Sequence, residues 1–175
     1  MNDTVGLMEN LLQWSKSQMQ SDASYIAEVD MNELVHDVAN VLHLQAGTKK
    51  IEIKIHLPHS VIALADADMI HLVLRNLLSN AIKFTAPGGQ VVIGAQPLDT
   101  HAEIYVKDFG NGIEPSVLAK IESGEFHTSF GTSQEQGTGL GLLLCREFLA
   151  KNNSQLRIET AEGKGSTFSF LLPQA

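Results

Sequence analysis

The stretch His71–Thr85, HLVLRNLLSNAIKFT, constrains this chain more than any other. At about 100° per residue, Ile70, Leu74, Leu77, Leu78, Ala81 and Phe84 gather on one helical face that must be buried. Asn76, Asn80 and Lys83 form a second strip, about 60° wide, along the border of that face. Asn is a mediocre helix former that prefers caps and turns. Two carboxamides one turn apart are therefore an unusual choice for a helix that only packs and is solvated. Followed by an amine, they suit a metal ion and a polyphosphate; taken alone they fit a polar shoulder with no ligand better still.

The rest of the composition sets the frame for such a site. At 175 residues, 43% apolar and 18% charged, the chain reads as one folded domain with at most a small extra element. A net charge of −8 and a pI near 5.3 argue against broad binding to nucleic acid. An acidic protein that binds an anion such as ATP needs local donors and usually a metal. The single cysteine, Cys145, cannot form an internal disulfide, which fits a reducing compartment. No run of 18 apolar residues and no signal-peptide pattern is present. The expectation is a cytoplasmic domain, free or part of a longer membrane receptor.

Residues 3–20 read as a helix with two apolar stripes, Val5, Met8, Leu12 and Met19 beside Leu7, Leu11 and Trp14. Such a helix either needs a bundle partner or folds back on its own domain. After a linker, SYIAEVD is a short strand ending at Asp30, which caps a helix from Met31 to Ala46, with Glu33 placed for a capping box and Gly47 as the stop. IEIKIHL and VIALAD read as strands, and Asp66 or Asp68 starts the central helix. QVVIGAQ, a PLDT turn and HAEIYVKD form a hairpin. A short helix from Pro115 to Ile121, an unpatterned loop over 123–138, a helix from Leu140 to Lys151 and the strand pair QLRIETA and GSTFSFLLP follow. Hairpins mixed with helices, rather than regular βαβ alternation, predict an α+β sandwich with helices on one face of a mixed sheet.

Two familiar phosphate motifs are excluded. Residues 137–142 read GxGxG after a loop, so the dinucleotide-fold fingerprint fails, and Gly163-Lys164-Gly165 lacks Walker spacing. What remains is a loop feeding glycines into a helix start, where free N–H groups and the helix dipole favour phosphate. Asp108 ends a strand in DFGNGI, where a carboxylate beside glycines can accept from a donor such as the exocyclic amine of adenine. Each stretch alone also fits a glycine-cornered loop without a ligand.

In one chain and in this order, NLLSNAIKFT, DFGNGI, FHTSFGT, GTGLGL and GKGSTFSF resemble the N, first glycine, F, second glycine and last glycine boxes of sensor histidine kinases. Their catalytic domain has the GHKL (Bergerat) ATP-binding fold, a two-layer α/β sandwich. The resemblance covers roughly residues 24–173, and LLQWSKSQ looks like the end of the second dimerisation and phosphotransfer helix. It implies a bundle-helix remnant over 1–20 and a catalytic domain over 21–175, with the ATP lid at about 123–138.

The resemblance also implies roles. Asn80 would coordinate Mg2+ with Asn76 nearby, and Lys83 would contact phosphate oxygens. Asp108 would read the adenine amine, with Gly110, Gly112 and Ile113 lining the base pocket. Gly137, Thr138, Gly139, Leu140 and Gly141 would hold the phosphates, Phe126 and Phe130 would anchor the lid, and Thr167 would lie close to Asp108. The γ-phosphoryl group of ATP would pass to a histidine of the phosphotransfer domain of a homodimeric bacterial kinase, and then to a response regulator receiver domain. None of the seven histidines, His36, His43, His56, His59, His71, His101 and His127, has the acceptor context, so the chain is expected to lack its own substrate histidine. The lid contains no Lys or Arg, which leaves more of the phosphate charge to Lys83 and Mg2+. A nucleotide-binding regulatory module without kinase activity, or another GHKL ATPase or serine kinase, is the alternative.

Overall fold

The computed structural model describes residues 24–124, 131–133 and 139–175. The expected helix over 3–20 and the bundle remnant lie outside the described residues. Strand β1 (Ala27–Asp30) runs directly into α1 (Met31–Thr48), and the Asp30 carboxylate accepts the Asn32 and Glu33 N–H groups at the junction. Gly47 does not stop this helix. The left-handed residue after it is Lys50, at φ 57°, and the chain leaves through Ile51 N–H to Ala46 O at 2.8 Å and Lys50 N–H to Gly47 O at 3.0 Å. That pair of bonds, with Ile51 buried behind it, is a Schellman stop that offsets the strain of a non-glycine residue there.

Five strands make one sheet, in the order β2 (Glu52–His56), β4 (Gln90–Leu98), β5 (His101–Asp108), β7 (Gly165–Pro173) and β6 (Arg157–Ala161). Only β2 against β4 is parallel. The sheet is therefore mixed, as expected, but β1 and β3 (Ile62–Ala65) stand apart as a separate antiparallel pair. The β4–β5 turn is tighter than the sequence suggests: Leu98 pairs with His101 and Pro97 with Ala102. Pro97 is tolerated because β2 pairs with β4 only as far as Gly94, so the missing N–H lies beyond the parallel ladder.

On one sheet face, Val91, Ile93, Ala95, Ala102, Ile104, Val106, Phe168, Phe170 and Leu172 are buried. The helices α1 and α2 (Ala67–Phe84) pack there, and α4 (Gly141–Lys151) packs beside α2. The short α3 (Pro115–Glu122) has no buried residue. Because α2 has the sheet beneath it and a helix on either side, its buried arc is wider than the sequence stripe. Val73 and Ile82 join it, whereas Phe84 is only half-buried. The start of α2 is tied to the end of α4 by Asn152, which is 2% exposed: its Oδ1 accepts Asp66 N–H at 2.7 Å and its Nδ2 donates to Phe148 O at 2.8 Å. The polar strip of α2 is thus carried on a helix whose start is fixed.

Candidate functional site: an adenine and phosphate cradle

Asn76, Asn80 and Lys83 are all half-buried along one side of α2. The start of α4 lies against Asn76, for a Cβ built on Gly141 would sit 3.7 Å from Asn76 Oδ1. No side chain caps α4 at Leu140, and Gly139 before it takes φ 71°. The electropositive end of α4 therefore adjoins the first carboxamide of the strip, an arrangement that suits phosphate oxygens. Cys145, one turn into α4, is fully buried; its thiol reaches Val73 O at 3.8 Å and hydrogen-bonds the Asn76 side chain. Burial pushes this thiol up to about 12, against a smaller lowering by Asn76. It belongs to the core and takes no part in thiol chemistry at neutral pH.

Asp108 closes β5 at the opposite end of the cradle and is only 4% exposed. One oxygen, Oδ1, accepts Gly110 N–H at 2.9 Å and Ser166 N–H at 3.2 Å. No described residue donates to the other. Burial raises the Asp108 pKa, and the two backbone donors pull it partly back. A desolvated carboxylate with one oxygen held by the fold and one available is an acceptor awaiting a donor.

Two glycines explain why the loop after Asp108 can run where it does. A Cβ on Gly110 would lie 2.3 Å from Phe84 O, and one on Gly112, at φ 70°, would lie 2.1 Å from Ala161 O. The first contact presses the loop onto the C-terminal end of α2 and the second presses it onto the β6–β7 hairpin. The expected base-pocket residues Gly110, Gly112 and Ile113 thus lie on a loop that joins both walls.

Thr167 does not face Asp108. Residue 108 is paired with Ser166, whereas Thr167 is paired with Lys107 and its side chain takes the other sheet face. Alternation with Phe168 and Phe170 already placed Ser166 on the inner face; that was the signal to read. Phe126, Phe130, Gly137 and Thr138 lie outside the described residues. Lys49, which lies in none of the motifs, and Thr132, the last residue of FHTSFGT, close the C-terminal end of α2. Lys49 Nζ donates to Ile82 O at 3.1 Å and to Lys83 O at 2.6 Å. Thr132 N–H donates to Lys83 O at 3.1 Å, and its hydroxyl donates to Thr85 O at 2.8 Å. Lys83 Nζ itself lies 4.8 Å from the centroid of the Phe84 ring.

Residues 65–175 match the family model described as histidine kinase-, DNA gyrase B- and HSP90-like ATPase. The chain belongs to this ATPase family. Its α+β sandwich, with a mixed five-stranded sheet, is the fold of the histidine-kinase catalytic domains among these ATPases. Among curated ATPases of this kind, histidine protein kinase DivJ of Caulobacter vibrioides is 32% identical over 170 residues, covering 97% of this chain and 28% of its own length. The nucleotide-free catalytic domain of histidine kinase ThkA has a TM-score of 0.74 at 28% identity, covering 85% of this chain and 95% of that one. Full-length ShkA in complex with AMPPNP gives 0.79 at 28% identity, covering 98% of this chain and 36% of ShkA. The chain spans less than half the length of the curated relatives it matches. Among the described residues, no helix is long and apolar enough to cross a membrane.

Proposed function

We propose that this chain binds Mg-ATP and donates the γ-phosphoryl group to a histidine on the phosphotransfer and dimerisation domain of a sensor histidine kinase. The observation that carries this reading is one cradle with two chemically different ends. At one end the buried Asp108 carboxylate offers an acceptor to the adenine amine, with Gly110, Gly112 and Ile113 forming the loop beside it. At the other, Asn76, the first residue of the strip that continues through Asn80 and Lys83, lies beside the start of α4, where Gly139, Leu140 and Gly141 would offer backbone to phosphate. That ShkA was solved with AMPPNP, an ATP analogue, supports the same ligand class here.

The donor set fits magnesium. Mg2+ prefers one or two protein oxygens with phosphate and water completing its shell, and the α2 strip offers carboxamide oxygens rather than a carboxylate cage. Asn80 would hold the ion with Asn76 nearby, and the bound ion would neutralise phosphate charge. In the transfer, the bond between the γ-phosphorus and the bridging oxygen to ADP breaks. A phosphorus–nitrogen bond to an imidazole forms, the imidazole proton goes to solvent, and ADP leaves. The protein contributes positioning and electrostatics rather than a covalent intermediate. A response regulator receiver domain would take the group next, and the dimeric parent kinase would hold this domain on the cytoplasmic side, where ATP is available.

The test combines the chain, radiolabelled ATP with Mg2+, and a purified phosphotransfer domain of a related kinase. Acid-labile, alkali-stable label on that domain is the expected result. Tight ATP binding with no label on any histidine would overturn the kinase reading and leave a nucleotide-responsive regulatory module.

A further inference from the structure

Thr160 lies on β6 opposite Ser166 on β7, which lies opposite Asp108 on β5. With the side-chain period of two, these three form one polar row across the end of a sheet face whose other positions are apolar, among them Ile104, Val106, Phe168 and Phe170. The Thr160 hydroxyl is engaged three ways. Its oxygen accepts Ile113 N–H at 2.9 Å, donates to Gly165 O at 3.2 Å, and meets Ser166 Oγ at 2.9 Å. A hydroxyl has one proton and two lone pairs. With the proton given to Gly165 O, Ser166 is the donor in the hydroxyl pair, and Thr160 is saturated. Ser166 N–H then donates to Asp108 Oδ1 at 3.2 Å. Hydrogen bonds to two different groups of Ser166, its hydroxyl and its backbone N–H, therefore link the Ile113 backbone through Thr160 to the Asp108 carboxylate.

The hairpin grips the same loop a second time. Gly163 N–H donates to Asn111 O at 2.7 Å, and Gly112 lies on Ala161 O with no room for a side chain. Those contacts involve backbone alone and tolerate many hairpin sequences. The grip on Ile113 depends on a side chain, and on its oxygen in particular. Valine has the shape of threonine but would leave the Ile113 amide, the Gly165 carbonyl and the Ser166 hydroxyl without this partner.

We propose that Thr160 is a positioning residue of the adenine site: its hydroxyl fixes the Ile113 backbone against β6 and, through Ser166, sets the direction in which Asp108 presents its available oxygen. This rests on the reading of Asp108 as the acceptor of the adenine amine. Thr160 acts through Ile113 and Ser166 rather than by touching nucleotide.

The test compares ATP with ITP, which carries the same triphosphate but a carbonyl where adenine has its amine, by calorimetry on the 175-residue chain. The wild-type chain is expected to prefer ATP. In Thr160→Val that preference should shrink by about tenfold, the scale of one hydrogen bond to a charged acceptor, and Thr160→Ser should restore it. A valine variant that weakens both nucleotides equally, or neither, overturns the proposal, because a purely structural role moves both together. If the wild-type chain binds ATP and ITP equally, the adenine reading of Asp108 fails first, and the role of Thr160 with it. Should the valine variant not fold, hydrogen exchange on the wild-type chain decides. An Ile113 amide as protected as those of the β6–β7 ladder supports the clamp, and exchange at the rate of an open loop overturns it.

Discussion

Replacing Asp108 by asparagine separates what the carboxylate does for ligand from what it does to the fold. Asn at 108 keeps an oxygen that can accept from Gly110 and Ser166 N–H, so the loop and β7 stay in register. The other position changes from acceptor to amide donor and would then face the amine donors of adenine. The lost bond is charge-assisted and contributes roughly 1.5–3 kcal/mol, which converts to a loss of about ten- to 150-fold in ATP affinity. Opposed donors add to that. Calorimetry with ATP reads it directly, and unchanged affinity would refute Asp108 as the adenine reader.

Stability of the ligand-free chain should move the other way. Burial raises the Asp108 pKa above its ordinary 3.8, despite the two backbone donors. A raised carboxyl pKa means that the unfolded chain gives up this proton before the folded chain does. The Asp108 contribution to stability therefore falls as pH rises from 3.8 through the folded value, and the whole cost is present at neutral pH. Asp108→Asn lacks this cost, so without nucleotide it should melt at or above the wild-type temperature at neutral pH. On acidification below both pKa values the gap should close. With saturating ATP the order should reverse, because ligand stabilises in proportion to its affinity. A ligand-free wild type that is the more stable at neutral pH, with the difference vanishing in acid, would mean that the fold stabilises the ionised carboxylate, and would refute the desolvation account.

Gly110→Ala should abolish ATP binding and lower stability by about 1–3 kcal/mol in denaturant titrations, since its Cβ would sit 2.3 Å from Phe84 O. Gly47→Ala, with nothing within 4 Å on α1, should instead stabilise by about 0.5–1 kcal/mol, and the contrast checks that packing rather than glycine content decides. Asn80→Ala should remove most of the gain in ATP affinity on adding Mg2+ while leaving adenosine binding intact, measured by calorimetry with and without EDTA. Cys145, whose thiol is pushed up to about 12 by burial, should resist alkylation at neutral pH in the native chain and react only as fast as the protein opens; rapid native labelling would contradict its place in the core.

The fold was legible where a local pattern carried it. The 3.6-residue period announced α1 and α2, the apolar run from Leu140 announced α4, and alternation and turn residues announced β2 and the β4–β5 hairpin. Failures came where a local signal met a tertiary one. Gly47 looked like the stop of α1, but the Schellman bonds from Lys50 and Ile51 end the helix later. Thr167 is expected close to Asp108 because its motif is matched by position; the register of β5 on β7 puts its neighbour Ser166 directly opposite Asp108 and Thr167 opposite Lys107. Long-range hydrogen bonds left no trace in the sequence at all. Asn152 grips the start of α2 from 86 residues away, and Thr160 reaches Ile113 across 47. Such residues read as ordinary polar positions until the chain brings their partners to them.

The C-terminal end of α2 shows how segments far apart in the chain are brought together at one helix end. A helix C-terminus exposes unpaired carbonyls and a negative partial charge, poorly suited to the neighbourhood of a polyphosphate. Here those carbonyls are taken up. The Lys49 ammonium occupies Ile82 O and Lys83 O, Thr132 occupies Lys83 O and Thr85 O, and Gly110 packs on Phe84 O. One group comes from the turn after α1, one from the loop after α3, and one from the loop after β5. Lys49 and Thr132 each quench part of the negative end of the helix and, in doing so, dock their own segments there, whereas Gly110 docks its loop by packing alone. Neutralising the helix end and assembling the cradle are therefore one event. A substitution at Lys49, more than 25 residues before Asn76, therefore reaches the end of α2 that carries Lys83.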